Sequence, residues 1–295
     1  MRATLLWTSL AAGISVGCVD AKDTGEDSDG SGGSDDPVRS IDAGACPEGG
    51  LDGSGRLPLT TALVESGVFQ MGNNDDPDSA PAHEVTLEAG VQMSITEITQ
   101  GQWTDLGFAN PSQHNTCTQC PVEQVTWHEA AAFAEALSAQ DGLGSCYTCS
   151  GAGADTECIA PDNPYECSGW RLPTEAEWEA AASADDTAWA GSDDFAMVAW
   201  TVEAVGQPCP VGTLQPTADG FYDLSGNVSE WVHDGYAAYS GDDATNPVGT
   251  ESATRVVRGG SMFQVAGEAV VTAREGKDMQ DYVPWRGFRL VKPAE

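Results

Sequence analysis

Residues Trp170 to Glu179, WRLPTEAEWE, contain the pattern of a helix start. Pro173 ends an extended segment and Thr174 follows it. Glu177 stands three residues after Thr174, which is the spacing of a capping box: each side chain accepts a hydrogen bond from the backbone N–H of the other residue. The stretch predicts a helix from residue 175 to about residue 184, with Trp178 turned toward the core.

The same helix-start pattern occurs twice upstream. Thr99 is followed by Gln102 and Thr126 by Glu129, so two further helices are predicted, the second from residue 127 to about residue 138. Alternating apolar residues predict short strands near residues 68–72 and 85–87. The C-terminal third is rich in Gly, Val and Arg and is predicted to form short strands and loops.

Seven other segments surround the 170–179 stretch in order: GVFQMG at 67–72, PAHEV at 81–85, EITQ at 97–100, PVEQVTW at 121–127, DLSGNVSEW at 223–231, RGGS at 258–261 and GFR at 287–289. Together the eight motifs resemble those of the formylglycine-generating enzymes, the sulfatase-modifying-factor family. The resemblance covers residues 58–292. It implies a single α+β domain of C-type-lectin-like fold with little regular secondary structure.

The resemblance also implies a structural calcium site in the segment DLSGNVSEW. The implied ligands are the side chains of Asp223 and Glu230 and the main-chain carbonyls of Gly226 and Val228. Calcium accepts several hard oxygens, including carbonyls of a tight turn. The alternative is a metal-free turn in which Glu230 accepts hydrogen bonds from nearby amides.

Catalysis in the family depends on a cysteine pair shortly after the R-G-G-S motif, which binds Cu(I) and activates oxygen. Gln264 stands where the first cysteine would be, and Ala269 lies near the second position. No cysteine follows Cys209. An amide and a methyl group cannot replace two thiolates, the soft ligands that Cu(I) needs. Copper binding is therefore not expected, and no catalytic residue is assigned.

The other cysteines are candidates for disulfides. If Cys18 carries lipid, an even number remains, which outside the cytosol indicates disulfide bonds. The candidates are Cys46, Cys117, Cys120, Cys146, Cys149, Cys158, Cys167 and Cys209. Because two pairs have C-x-x-C spacing, a zinc site of Cys117, Cys120, Cys146 and Cys149 is the alternative.

The N-terminus has the pattern of an export signal. In residues 1–17 one early Arg precedes an apolar stretch too short to span a membrane, and Cys18 follows small residues as at a bacterial lipidation site. Residues 18–50 are rich in Asp, Ser and Gly and predict a lipidated Cys18 followed by a disordered acidic linker. We expect an exported lipoprotein, anchored in a membrane and facing the periplasm or the cell surface.

The charge distribution limits the possible partners. A formal net charge of −34 excludes the basic surface that nucleic-acid binding requires. Seven of the twelve basic residues lie between Arg255 and Lys292, and Arg171 stands alone in the middle of the chain. Many residues of the basic segment are predicted to form internal ion pairs, and Arg171 is predicted to pair with buried carboxylates or carbonyls.

Without the cysteine pair, the sequence predicts a non-catalytic binding or envelope module rather than an enzyme. The ligand would be an envelope protein, a peptide or a glycan. The alternative is an oxidoreductase of the formylglycine-generating type that oxidises protein cysteine through other residues.

Overall fold

The computed structural model describes residues 45–51, 55–249 and 253–294. The predicted signal peptide, Cys18 and most of the predicted linker lie outside this range. The end of that linker, from residue 45, instead belongs to the folded unit. Cys46 is bonded to Cys209, and the Leu51 N–H donates to the Val211 carbonyl at 3.2 Å.

The described residues contain four α-helices: α1 Gln100–Asp105, α2 Trp127–Asp141, α3 Glu175–Ala182 and α4 Phe195–Val198. The three predicted capping boxes are confirmed, because Thr99, Thr126 and Thr174 each cap a helix with the expected partner three residues on. Helix α2 runs three residues beyond its predicted end, and Gly142 closes it in the left-handed conformation (φ 69°).

The strands are short, as expected for this fold class; the longest has 7 residues. They are β1 Thr61–Val64, β2 Gly67–Met71, β3 His83–Leu87, β4 Val91–Ser94, β5 Thr148–Ser150, β6 Glu157–Ile159, β7 Ala199–Trp200, β8 Ser225–Gly226, β9 Ser229–Gly235, β10 Ala244–Thr245, β11 Thr254–Arg258, β12 Arg274–Asp278, β13 Arg286–Phe288 and β14 Val291–Pro293.

The strands form several small sheets. The largest has the order β12-β11-β9-β13, with β13 parallel to β9 and the other neighbours antiparallel. Two three-stranded sheets have the orders β1-β4-β14 and β10-β3-β2, and two pairs, β5-β6 and β7-β8, complete the set. The predicted α+β class is thus confirmed.

Tryptophans stabilise the core, because each buried indole N–H donates a hydrogen bond to an acceptor. Trp127 donates to the Val232 carbonyl at 2.9 Å and Trp231 donates to the Val125 carbonyl at 3.0 Å, so α2 and β9 are held together in both directions. Buried Trp residues need such a partner for the polar end of the ring.

The disulfide prediction is confirmed and the zinc alternative is wrong. The bonds are Cys46–Cys209, Cys117–Cys120, Cys146–Cys167 and Cys149–Cys158. Cys146 and Cys149 have separate partners, since Cys149 faces Cys158 across the β5-β6 pair. The four sulfurs of the proposed zinc site are therefore all covalently paired.

Helix α3 carries buried glutamates at its first, third and fifth residues, and each pairs with an arginine. The sequence predicts a buried partner for Arg171 without naming it, and the structure shows that the partner is Glu177: two guanidinium nitrogens donate to its two carboxylate oxygens at 2.7 Å each. The same carboxylate accepts from the Thr174 N–H at 2.8 Å, so the helix cap and the ion pair share one side chain.

The other two glutamates face the opposite side of α3, since residues four apart lie on one helix face. Arg274 donates to both oxygens of Glu175 at 2.7 Å, and Arg258 donates to Glu179. Arg258 and Arg274 stand opposite each other on β11 and β12. The prediction that the basic C-terminal segment forms internal ion pairs is confirmed for both.

Candidate functional site

The segment DLSGNVSEW forms a sharp turn that leads into β9. Gly226 has a φ of 81°, and a Cβ there would lie 2.2 Å from the Trp200 carbonyl oxygen, so the chain permits only glycine. Asn227 also has positive φ, 54°, and its side chain holds Cys209 by accepting from the N–H at 3.0 Å and donating to the carbonyl at 3.3 Å. The motif is a rigid corner of the fold.

Glu230, the first predicted carboxylate ligand, is fully buried and ion-paired. Arg289 donates from Nε and Nη2 to its two oxygens, both at 2.7 Å, and the Trp178 indole donates to the same carboxylate at 2.8 Å. The guanidinium of Arg289 also donates to the carbonyls of Ser94 and Tyr222. This geometry matches a bidentate, charge-assisted pair.

Asp223, the second predicted ligand, is buried and only partly satisfied. Its Oδ2 accepts from the Gly212 N–H at 2.7 Å, while Oδ1 has no donor. Both carboxylate oxygens of buried Glu97 also lack a donor, and the two carboxyls interact with each other. Burial raises the pKa of Asp223 to about 6 and, with the nearby charges of Asp223 and Glu230, raises that of Glu97 well above its usual value. A proton shared between the two carboxyls fits this arrangement.

The predicted calcium ligands fit a cation only in part. Asp223 offers one free oxygen, but Glu230 already has a full positive partner in Arg289. Within residues 45–51, 55–249 and 253–294, no three or more His, Cys, Asp or Glu side chains are grouped to hold a metal ion. A calcium ion at Glu230 would have to displace Arg289. The calcium site stays a prediction.

Gln264 and Ala269, at the positions that the resemblance assigns to the copper-binding cysteines, are held by hydrogen bonds and close packing. Gln264 accepts from the Ser261 hydroxyl at 3.1 Å and donates to Glu275 at 2.7 Å. Ala269 is fully buried, and its backbone lies 2.8 Å from the place of a Cβ on Gly260 (φ 65°). The loop that follows the R-G-G-S motif is therefore packed closely around Gly260.

An open cavity of about 610 Å³ lies beside this loop. Its walls include Gly260, Phe263, Gln264, Glu275, Trp285 and Arg286. Phe263 is 43% exposed, and its ring meets that of Trp285 edge to face at 5.3 Å. The groove beside Ser261 and Gln264 is thus open, and one wall is aromatic.

The sequence alone does not identify Glu97, Arg286 and Arg289 as site residues. Glu97 and Arg289 belong to two of the family motifs, but only the three-dimensional structure brings them to Asp223 and Glu230. A lone carboxylate between apolar neighbours, as in the sequence SITEITQ, is the signal that marks Glu97 as buried.

In the part of the chain that the structure describes, no helix has the length and apolar character needed to cross a bilayer. The predicted anchor at Cys18 and the linker that follows it lie outside those residues.

Comparison with known proteins agrees with this architecture. The chain is 29% identical over 265 residues to Chaperone protein LppX of Paenibacillus barcinonensis, covering 78% of this chain and 88% of that one. Among solved structures, Treponema denticola variable protein 1 superposes with a TM-score of 0.74 at 28% identity, covering 81% of this chain and 96% of that one. PvdO from Pseudomonas aeruginosa shares the fold, with a TM-score of 0.65 at 22% identity over 80% and 95% of the two chains.

The profile of one family, described as the Sulfatase-modifying factor enzyme 1-like domain, matches residues 54–294. This match spans the capped helices, the corner at Gly226 and the loop that carries Gln264. The chain therefore belongs to the Sulfatase-modifying factor enzyme 1-like domain family.

Proposed function

We propose that this protein is an exported lipoprotein whose domain is a non-catalytic binding module of the cell envelope. One observation supports the proposal most. The loop in which the family carries its copper-binding cysteines has Gln264 and Ala269 at those positions in this chain, yet the cavity beside the loop is open. A large concave site with aromatic walls and a few polar groups is the usual form of a ligand site. The scaffold without its thiolates retains a place to bind and loses the means to activate oxygen.

The disulfides support export. Several disulfides in one domain are typical of proteins that fold outside the reducing cytosol. Similarity to a protein named a chaperone favours a polypeptide over a glycan as the ligand. Lipidation would then tether the domain at Cys18 through the acidic linker.

A copper assay tests the absence of catalysis. The purified protein, loaded with Cu(I) and given oxygen and a cysteine-containing peptide, is expected to leave the peptide mass unchanged. Copper-dependent conversion of the peptide cysteine to formylglycine would instead establish the alternative, an oxidoreductase of the formylglycine-generating type.

A labelling experiment tests the anchor. Cells that express the full chain are grown with radiolabelled palmitate, and the protein is expected to carry label in the membrane fraction. The Cys18→Ser variant is expected to lose the label. Equal labelling of both proteins, or none of either, would contradict lipidation at Cys18.

A further inference from the structure

Arg286 differs from Arg171, Arg258, Arg274 and Arg289, four other buried arginines, because no carboxylate lies within hydrogen-bond distance of its guanidinium. Its side chain is 4% exposed, and both Nε and Nη1 are buried without a hydrogen-bond partner. Arg171, Arg274 and Arg289 each make a two-point contact with a glutamate. The nearest carboxylate to Arg286, that of the half-exposed Asp281, lies 3.9 Å away.

The surroundings of Arg286 hold it in place without neutralising it. The guanidinium lies over the Trp231 ring, 4.7 Å from its centroid, and the Arg286 N–H donates to the Val283 carbonyl at 3.1 Å. Burial lowers its pKa to about 10, which leaves it charged at neutral pH. Leaving a buried donor unpaired destabilises the folded state, and the cost is larger for a charged group. A position that carries this cost is a candidate functional site.

Arg286 lines the cavity beside Gln264, and the other basic residues there already have partners. Arg274 is held by Glu175, and Lys277 lies 2.5 Å from Glu275. A guanidinium binds the two oxygens of a carboxylate through Nη2 together with either Nε or Nη1, and in Arg286 both of those second donors lack a partner. Phe263 and Trp285 supply an apolar surface in the same cavity. The wall also contains Asp76, Asp78 and Glu268, which disfavour a ligand that carries several negative charges.

We propose that this cavity binds a monoanionic carboxylate attached to an apolar or aromatic group, as found at the C-terminus of a polypeptide. Arg286 binds the carboxylate, and the Phe263–Trp285 pair contacts the apolar group. The inference rests on the proposed function, because it names the ligand class of that binding module. The ligand class depends on Arg286, whereas the proposed non-catalytic function does not.

The probe for the test is N-acetyl-phenylalanine, with N-acetyl-phenylalaninamide as the matched neutral compound. Binding to the mature protein is measured by calorimetry and by the change in tryptophan fluorescence. A hydrogen-bonded ion pair contributes about 1.5–3 kcal/mol, so the acid is expected to bind about tenfold or more tightly than the amide. This comparison needs no variant. Equal affinity of the two compounds, or no binding of the acid, would overturn the proposal.

Variants assign the effect to Arg286. Arg286→Met is expected to weaken binding of the acid about tenfold or more and to leave binding of the amide unchanged. Lys277→Met removes the same charge from the same cavity and is expected to stay within about threefold of the parent protein. A loss in Lys277→Met as large as that in Arg286→Met would mean that only the general charge of the cavity matters, against the proposal.

A stability measurement separates loss of binding from loss of fold. Arg286 makes only a long contact with Asp281 and a contact with the Trp231 ring, and its burial carries a desolvation cost that the variant removes. Arg286→Met is therefore expected to melt close to the parent. The copper assay fails or succeeds independently of these titrations. Formylglycine production would reject the non-catalytic function, whereas loss of acid selectivity alone would reject only the ligand class.

Discussion

Replacing Glu230 by Gln should destabilise the domain strongly, because it leaves Arg289 buried with no counter-charge. Both Glu230 oxygens accept from Arg289 at 2.7 Å, and both side chains are almost completely buried. Breaking a buried pair by removing one partner costs about 3–5 kcal/mol. In a domain of this size about 1 kcal/mol moves the melting temperature by roughly 2–4 °C, so a fall of roughly 6–20 °C is expected.

The assay is thermal unfolding by circular dichroism, with and without excess EDTA or calcium. A truncated protein that starts at residue 45 removes most acidic residues of the linker, which would bind calcium weakly. The double variant Glu230→Gln, Arg289→Met completes a cycle: it should be more stable than Glu230→Gln alone, since the unpaired cation is gone.

Two results would contradict the predicted role of the Glu230–Arg289 pair. If Glu230→Gln melts within about 2 °C of the parent, the buried pair does not exist in solution. If EDTA lowers the melting temperature of the parent by as much as Glu230→Gln does, and has no further effect on the variant, then Glu230 holds calcium and Arg289 is not its main partner. The second result would establish the calcium site predicted from the sequence.

Three further predictions concern cysteines and titrating groups. A non-reduced digest analysed by mass spectrometry should show a peptide with Cys146 linked to one with Cys167. Bound zinc together with free thiols at the C-x-x-C cysteines would contradict the disulfide bonds. The pKa values of Glu97 and Asp223 are raised, the latter to about 6, so these groups stabilise the fold at acid pH and lose that contribution as pH rises through the folded values. The melting temperature of Glu97→Gln should therefore fall less between pH 5 and pH 8 than that of the parent, and parallel curves would show that the carboxyls do not interact. Burial first, then Arg171 and Arg255, lowers the pKa of His233 to about 3, so its NMR resonances should not shift between pH 8 and pH 5; a midpoint near 6.5 would contradict its burial.

The local features of the fold could be predicted from the sequence because they depend on neighbouring residues. Capping boxes act within three residues, and the pair of Arg171 with Glu177 spans only six. The partners of the other α3 glutamates could not be predicted, since Arg258 lies 79 residues from Glu179 and Arg274 lies 99 residues from Glu175. The basic C-terminal segment indicated that such pairs exist but not which carboxylates they join.

The candidate site divides in the same way. The occupation of the cysteine positions by Gln264 and Ala269 is visible in the sequence, whereas the open cavity beside them is not. The distribution of charges in the sequence predicts that many arginines are paired. Arg286, whose nearest carboxylate lies 3.9 Å away, departs from this prediction, and only the positions of its neighbours reveal it. The disulfide partners are likewise set by the fold, because spacing alone allows many combinations.

The pairing of α3 with distant arginines has a consequence for the order of folding. Glu175 and Glu179 cannot be buried until the ribosome has delivered residues 258 and 274, because an uncompensated carboxylate in the interior costs several kcal/mol. In an emerging chain that ends before Arg258, the carboxylates of Glu175 and Glu179 have no arginine partner and are more stable when solvated. Such a chain has no stable folded state to reach early, and it stays unfolded until nearly its whole length is available. Under the export proposed above, this late pairing would leave the folding step to the far side of the membrane.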